Sequence, residues 1–224
     1  MKSVLITGAT KGLGRKLSEN LINSGYEVFC VGRDKEALSA LKNLGCVTLE
    51  VDFTEKESAW LPRLTNMCPE VDILVNSAGS FPIKNLDNSD ISDYDECFSV
   101  NVRAPFILMK AYIPKMVDKG FGRVVNILSS SAYNGSKDTA LYCASKHALL
   151  GLTRSAFLEY RGTGVKIHSI SPGSMQTPMG KTDTRQDYST FIKTEEVADF
   201  IEYTFCLNNT MVIDEVRLNR SIIR

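Results

Sequence analysis

The 224-residue sequence predicts an α/β fold, a doubly wound parallel sheet of about seven strands with helices on both faces. Two observations carry that prediction. Short apolar runs alternate with helical patterns along the chain, and the runs are apolar throughout rather than at every second residue, as when both faces of a sheet are covered. The first run, Ser3-Val4-Leu5-Ile6-Thr7, passes through Gly8-Ala9-Thr10-Lys11-Gly12-Leu13-Gly14 into a stretch where Leu13, Leu17 and Leu21 recur every four residues. A buried strand entering a helix through a glycine-rich turn is the opening of a nucleotide-binding βαβ unit. Glycine lets the backbone turn sharply and approach a pyrophosphate, and the helix N-terminus offers it unpaired N–H groups and a partial positive charge.

The remaining elements follow in order. Strands are expected near residues 4–7, 28–32, 47–51, 73–76, 124–128, 167–171 and 212–218. Helices fit between them, near 13–23, 35–43, 58–67, 100–118, 141–160 and 194–205. No Pro/Ser-rich linker, repeat or low-complexity stretch divides the chain, so one domain over 1–224 is expected. In such a sheet the crossovers are right-handed, and a ligand binds beyond the carboxyl ends of the strands where the order reverses. Gly8, Arg33, Asp52, Asn76, Ser129 and Pro172 each fall at or just after such an end.

Composition narrows the function. Lys plus Arg (26) balances Asp plus Glu (26), leaving no basic field to draw nucleic acid or an anionic membrane. No run approaches the roughly 20 apolar residues of a membrane span, and the N-terminus enters a strand without the apolar stretch of a signal peptide. The six cysteines form no C-x-x-C pair and mostly sit in expected strands or helices, which points to reduced structural thiols and a cytoplasmic protein. His147 and His168 have no clustered Cys, His or carboxylate neighbours in the sequence, so no metal site is expected.

Tyr142 and Lys146 stand four apart in Tyr142-Cys143-Ala144-Ser145-Lys146, so on a helix they share a face, with Ser129-Ser130-Ser131 upstream. A tyrosine titrating near pKa ~10 exchanges protons poorly at neutral pH, and a fixed cation beside it favours the phenolate. The pair therefore has the form of a general acid/base. Solvated helix faces produce the same spacing, so the remaining motifs decide.

Those motifs run in one order: Thr7-Gly8-(x)3-Gly12-x-Gly14, Asp52, Asn76-Ser77-Ala78-Gly79, Asn101, Ser129, Tyr142-(x)3-Lys146, and Pro172-Gly173 followed by Thr177. In this the chain resembles the short-chain dehydrogenase/reductase family, in its compact single-domain Rossmann-type branch. It departs at Ser77, where asparagine is more usual, and over 211–220, which lacks the glycine-rich close of relatives.

The resemblance implies a nicotinamide-dependent oxidoreductase interconverting a carbonyl and a secondary alcohol. It implies that Tyr142 donates or accepts the proton, and that Ser129 steadies the substrate oxygen. Ser129 is preferred to its two neighbours because it stands thirteen positions before Tyr142, as in relatives. Lys146 would hold the nicotinamide ribose and lower the phenol's pKa, and Asn101 would anchor a water linking Lys146 to solvent. Gly8, Thr10, Lys11, Gly12, Leu13 and Gly14 would cradle the cofactor's phosphates, Asp52 and Phe53 would border its adenine, and Asn76, Ala78 and Gly79 would run along it. Pro172, Gly173, Met175 and Thr177 would hold the carboxamide, with Tyr142 and Lys146 completing the cofactor contacts. A homodimer or homotetramer is implied, built on the helices near 101–116 and 142–160.

Cofactor choice rests at the end of the second strand, where an acid would bind the ribose 2′-OH of NAD and repel a 2′-phosphate. Here that position is Gly32, followed by Arg33, with Lys11 nearby, which points to NADP; Asp34 argues the other way. The expected lid, 178–193, is polar apart from Met179 and Phe191, which suits a small polar or thioester-borne carbonyl better than a steroid-like one. A 3-oxoacyl thioester and a small hydroxy acid or sugar both remain open as substrate. The competing class is a non-catalytic NADP-sensing module, which would be expected to have lost Tyr142 or Lys146. A nucleotide-sugar epimerase or dehydratase would resemble G-x-x-G-x-x-G in the first turn and carry a larger C-terminal substrate domain, and neither is read here.

Overall fold

The computed structural model describes residues 1–207 and 210–221. Its centre is one parallel sheet of β1 (Ser3–Thr7), β2 (Glu27–Gly32), β3 (Val47–Glu50), β4 (Ile73–Asn76), β5 (Gly122–Ile127), β6 (Val165–Pro172) and β7 (Glu215–Leu218). The strands lie in the order β3-β2-β1-β4-β5-β6-β7. From β1 the chain steps outward to β3, then returns to β1's other edge with β4, where Leu5 faces Phe29 on one side and Leu74 on the other. That reversal opens a crevice beyond the carboxyl ends of β1 and β4.

The helices are α1 (Gly12–Asn23), α2 (Lys35–Asn43), α3 (Glu57–Met67), α4 (Ile91–Phe98), α5 (Ala104–Asp118), α6 (Ala140–Glu159), the short α7 (Pro178–Lys181) and α8 (Thr194–Phe205). Successive strand residues point to opposite faces, which sorts the core into two layers. Val4, Ile6, Ile73, Val75 and Val125 pack with Leu13, Leu17 and Leu21 of α1 and Val197, Ile201 and Phe205 of α8. Leu5, Leu74 and Val124 pack the other way, against Trp60 and Leu64 of α3 and Leu108, Tyr112 and Met116 of α5. None of the helices among the described residues is long and apolar enough to cross a membrane.

Two expectations need correction. The last strand begins at Glu215 rather than 212. The helix expected over 100–118 is α5 preceded by one wider π turn, Ser99–Arg103, and by α4, which sequence reading missed. That helix starts at a capping box: Asp90 accepts from the Asp93 N–H at 3.1 Å while the Asp93 carboxylate accepts from the Asp90 N–H at 3.1 Å. An Asp in place of the usual Glu or Gln, among neighbouring acids and serines, made the segment read as loop.

Candidate active site

Tyr142 and Lys146 sit on the first turns of α6, whose start is fixed over β5 by the 129–139 connection. Both are buried, at 8% and 4% exposure. The Tyr142 ring packs edge-on against Phe81, with centroids 4.6 Å apart, and Lys146 Nζ stands 5.6 Å from the Tyr142 centroid. Lys146 donates to the Ile127 carbonyl at the end of β5, at 2.8 Å. Ser129 follows two residues later, accepting from the Ser131 N–H at 3.1 Å.

Electrostatics corrects one expectation. Burial pushes the Tyr142 phenol up to about 12, against the Ser129 hydroxyl, which favours the ionised form. The same burial pulls Lys146 down to about 8, against a smaller opposing effect of Cys97. Desolvation therefore outweighs any help the ammonium gives the phenolate. The Tyr142 phenol is thus held protonated at neutral pH.

Asn101 lies at the centre of the π turn and is fully buried. An extra residue in one helical turn bulges the chain, and such turns are frequent at functional sites. Here it aims the amide at the strand ends: Oδ1 accepts from Ser80 N at 2.9 Å, while Nδ2 donates to Ser80 O at 2.9 Å and to Ser145 Oγ at 2.9 Å. Ser145 Oγ in turn donates to the Tyr142 carbonyl at 2.8 Å. Both amide hydrogens are thus engaged by protein, so the side chain ties the 80s loop to the turn carrying Tyr142.

Two cavities meet at Tyr142. The smaller, about 310 Å³, runs from the glycine-rich turn past Asp52, Phe53, Ala78 and Gly79 to Lys146. It is cut for close backbone approach. A Cβ on Gly8, whose φ is +66°, would stand 2.7 Å from the Ala78 Cα, and a Cβ on Gly32 would stand 2.7 Å from Thr10 Cγ2. Thr7 Oγ1 secures the two strand ends around the crevice by accepting from Ser77 N and Ala78 N, each at 3.0 Å. An elongated phosphate-bearing nucleotide fits this cradle, with Gly8, Thr10, Lys11, Gly12, Leu13, Gly14, Arg33, Asp52, Phe53, Ala78, Gly79, Tyr142, Lys146, Met175 and Thr177 on its walls.

The structure sets three expected cofactor residues apart. Asn76 lines neither cavity and donates to Asn126 Oδ1 at 2.7 Å beneath the crevice. Pro172 and Gly173 line the larger cavity rather than the smaller. The two cations weighed for cofactor choice are both exposed and both paired, Lys11 with Asp34 at 3.1 Å and Arg33 with Asp52 at 3.7 Å. Asp34 also accepts the Ala37 N–H at 3.1 Å as the cap of α2, and that bond, then Lys11, holds its carboxyl below the usual range.

The larger cavity, about 390 Å³, lies on the other side of Tyr142 beneath the 178–193 segment. Ser129, Ser130 and Ser131 line its floor, with Met175 and Phe191 as apolar wall. Sequence reading missed its polar rim of Asn134, Gln186, Asn219 and Arg220, and missed Phe81, Ser80 and Ser145 around the tyrosine. Only the serine three positions after Tyr142 left a readable signal, a small polar residue on the buried helix face. The described residues hold no group of three His, Cys, Asp or Glu side chains able to bind a metal.

A family model described as short chain dehydrogenase matches residues 2–188. An uncharacterized oxidoreductase of Staphylococcus saprophyticus is 33% identical over 192 residues, covering 81% of this chain and 82% of that one. A 3-oxoacyl-[acyl-carrier-protein] reductase of Rickettsia felis is 33% identical over 181 residues, covering 80% of this chain and 74% of the relative. Among solved structures, a short chain dehydrogenase/reductase family protein superposes with a TM-score of 0.89 at 27% identity, over 97% of this chain and 95% of its own. Parallel sheet, nucleotide cradle and the Tyr142–Lys146 turn thus agree with sequence and fold likeness: the chain belongs to the short chain dehydrogenase family, an oxidoreductase that binds a nicotinamide cofactor and acts on a CH–OH or carbonyl group.

Proposed function

We propose that this enzyme interconverts a carbonyl and a secondary alcohol with NADP(H), and that Tyr142 carries the proton. The observation behind this reading is that the buried Tyr142 lines both cavities while Lys146 lines only the cradle side. A substrate carbonyl in the larger cavity therefore meets the phenol at the wall shared with the nucleotide. The cofactor supplies or removes the hydride when bound. In reduction the Tyr142 hydroxyl would give its proton to the carbonyl oxygen, and in oxidation the phenolate would take it back from the alcohol. Ser129 Oγ donates to the substrate oxygen as its charge develops. Lys146 holds the ribose side of the cradle, and Asn101 and Ser145 keep the helical turn in place.

NADP is favoured because Gly32 carries no acid, has no room for one beside Thr10, and is followed by Arg33 with Lys11 across the crevice. Asp34 and Asp52 pair those cations, and a 2′-phosphate would take over both ion pairs. Reduction of a 3-oxoacyl thioester is a second reading, supported by the Rickettsia felis relative. A cytoplasmic setting suits the five buried, unpaired cysteines, Cys30, Cys46, Cys68, Cys97 and Cys143. The test is a carbonyl and alcohol panel followed at the reduced-nicotinamide absorbance with NADPH and NADH. NADPH-linked turnover that disappears in Tyr142→Phe is expected; turnover surviving that change would overturn the proton assignment.

A further inference from the structure

The larger cavity has three charged side chains in its lining, Asp183, Arg185 and Arg220. Two of them answer each other. Arg185 grips Asp183 through Nε at 2.7 Å and NH2 at 3.1 Å, and lies 3.8 Å from Asp138 as well. That pair adds no net positive charge to the cavity. Arg220, two residues past the end of β7, has no carboxylate partner among the described residues.

Its position is nonetheless fixed. NH1 donates to Thr190 Oγ1 at 3.1 Å and NH2 to Gln186 Oε1 at 2.7 Å, and the guanidinium carbon lies 5.2 Å from the centroid of the buried Phe191 ring. Gln186 presents its oxygen to Arg220 because its amide nitrogen donates to Asp183 Oδ2 at 2.8 Å, while Ser174 Oγ donates to Gln186 Oε1 at 3.2 Å. All of these acceptors are neutral. They orient the guanidinium without cancelling its charge, and they engage two of its five N–H donors. A planar fork with free donors, held against an aromatic ring, is suited to a carboxylate taken up through two parallel bonds.

We propose that Arg220 receives a carboxylate of the substrate, so that the enzyme's substrate is an oxo acid and the matching hydroxy acid. This rests on the reading of the chain as a carbonyl/alcohol oxidoreductase. It selects the small-acid substrate over the thioester, which carries no charge next to its ketone. It also assigns a role to the C-terminal stretch 211–220, which departs from the family pattern and delivers this arginine to the cavity rim.

Two measurements test it separately from the chemistry. The first is calorimetric titration of the NADPH-loaded enzyme with butanoate, pentanoate and hexanoate, each against its primary amide. These probes have no ketone and need no turnover. At least one acid is expected to bind ten-fold or more tightly than its amide. That ratio should fall toward one in Arg220→Gln and be partly kept in Arg220→Lys, which has the charge without the fork. The second is kcat/KM for 3-oxobutanoate, 4-oxopentanoate and 5-oxohexanoate against their methyl esters and against a neutral acetoacetyl thioester of N-acetylcysteamine. An acid preference located in KM and lost in Arg220→Gln is expected. Equal binding of acid and amide by the wild type, or an acid preference that persists in Arg220→Gln, overturns the inference. Tyr142-dependent reduction of neutral ketones without acid preference would sink this inference and leave the reductase reading standing. An Arg220-dependent acid preference in binding, with no carbonyl reduced under either cofactor, would sink the reductase reading alone.

Discussion

Lys146→Met should make the unliganded protein more stable at neutral pH while disabling it. Burial lowers the Lys146 pKa from 10.5 to about 8. At about 1.4 kcal/mol per unit, the charged form carries a penalty of about 3 kcal/mol in the native state. The residue is 4% exposed, so solvent screening removes little of this. The sign follows from proton counting. Below about pH 8 the lysine is protonated in both states and the penalty is fully present. Between about 8 and 10.5 the unfolded chain binds the proton and the native one does not, so stability rises with pH in that window. Methionine has no such titration. Its loss of the 2.8 Å bond to the Ile127 carbonyl offsets part of the gain, by about 1.5–3 kcal/mol for a charged donor. The expected net gain is about 1 kcal/mol at pH 7, or roughly 2–4 °C in Tm for a domain of this size. By pH 10 the native wild-type lysine is mostly neutral and most of the penalty is gone, so the variant's advantage should be lost. Urea midpoints of both proteins at pH 7, 8.5 and 10, without cofactor, measure the swing, and their difference cancels every other titrating group. A wild-type-minus-variant difference that stays flat from pH 7 to 10, or moves the other way, would refute the reasoning.

Four further outcomes are expected. Tyr142→Phe keeps the edge-on packing at 4.6 Å against Phe81, so its Tm should barely move while turnover falls by about 10²–10⁴. In wild type, kcat/KM for alcohol oxidation should climb from pH 7 to 10, because burial raises the phenol above its ordinary value and keeps the phenolate scarce; a profile flat over that span would show that burial does not govern the phenol in the cofactor-loaded enzyme. Arg33→Ala should weaken NADPH by about 1.5 kcal/mol, the low end for a charged bond, because the side chain is 62% exposed and already faces Asp52; calorimetry showing equal loss for NADH would remove Arg33 from cofactor choice. Phe106 on α5 and Leu158 on α6 leave apolar surface exposed, at 48% and 67%, and light scattering at micromolar concentration should show a dimer or larger assembly rather than a monomer.

How much of this was legible in the sequence depended on which force acted. The strands were readable because a sheet covered on both faces leaves continuous apolar runs, as in Val4-Leu5-Ile6 and Ile73-Leu74-Val75. Leu13, Leu17 and Leu21 marked the buried stripe of α1 for the same reason. The π turn was not readable, because nothing in Ser99-Val100-Asn101-Val102-Arg103 distinguishes a wide turn from an ordinary one. Its geometry is set by Asn101 reaching Ser80, a partner 21 positions away. The cations at the crevice were legible as residues, but their pairing with Asp34 and Asp52 was not, since β1, β2 and β3 had first to be brought side by side. Arg220 lay beyond the expected lid and entered the cavity only through bonds to Gln186 and Thr190, 34 and 30 positions earlier.

The fate of the Tyr142–Lys146 pair shows why motif spacing alone misjudged its electrostatics. Spacing puts an ammonium near a phenol, and from that alone the phenol should become more acidic. The fold buries both groups, and burial acts on each in the direction of neutrality, raising the acid and lowering the base. At 5.6 Å from the ring, the ammonium points to the Ile127 carbonyl rather than to the phenol oxygen. On the proposed reading, this suits Tyr142 to giving a proton in reduction better than to taking one in oxidation. Arg220, which has no carboxylate partner among the described residues and is held by neutral acceptors, would on the proposed reading supply charge to hold an anionic substrate in the larger cavity. On the proposed reading, substrate recognition and proton transfer thus fall to different side chains, Arg220 for the first and Tyr142 for the second.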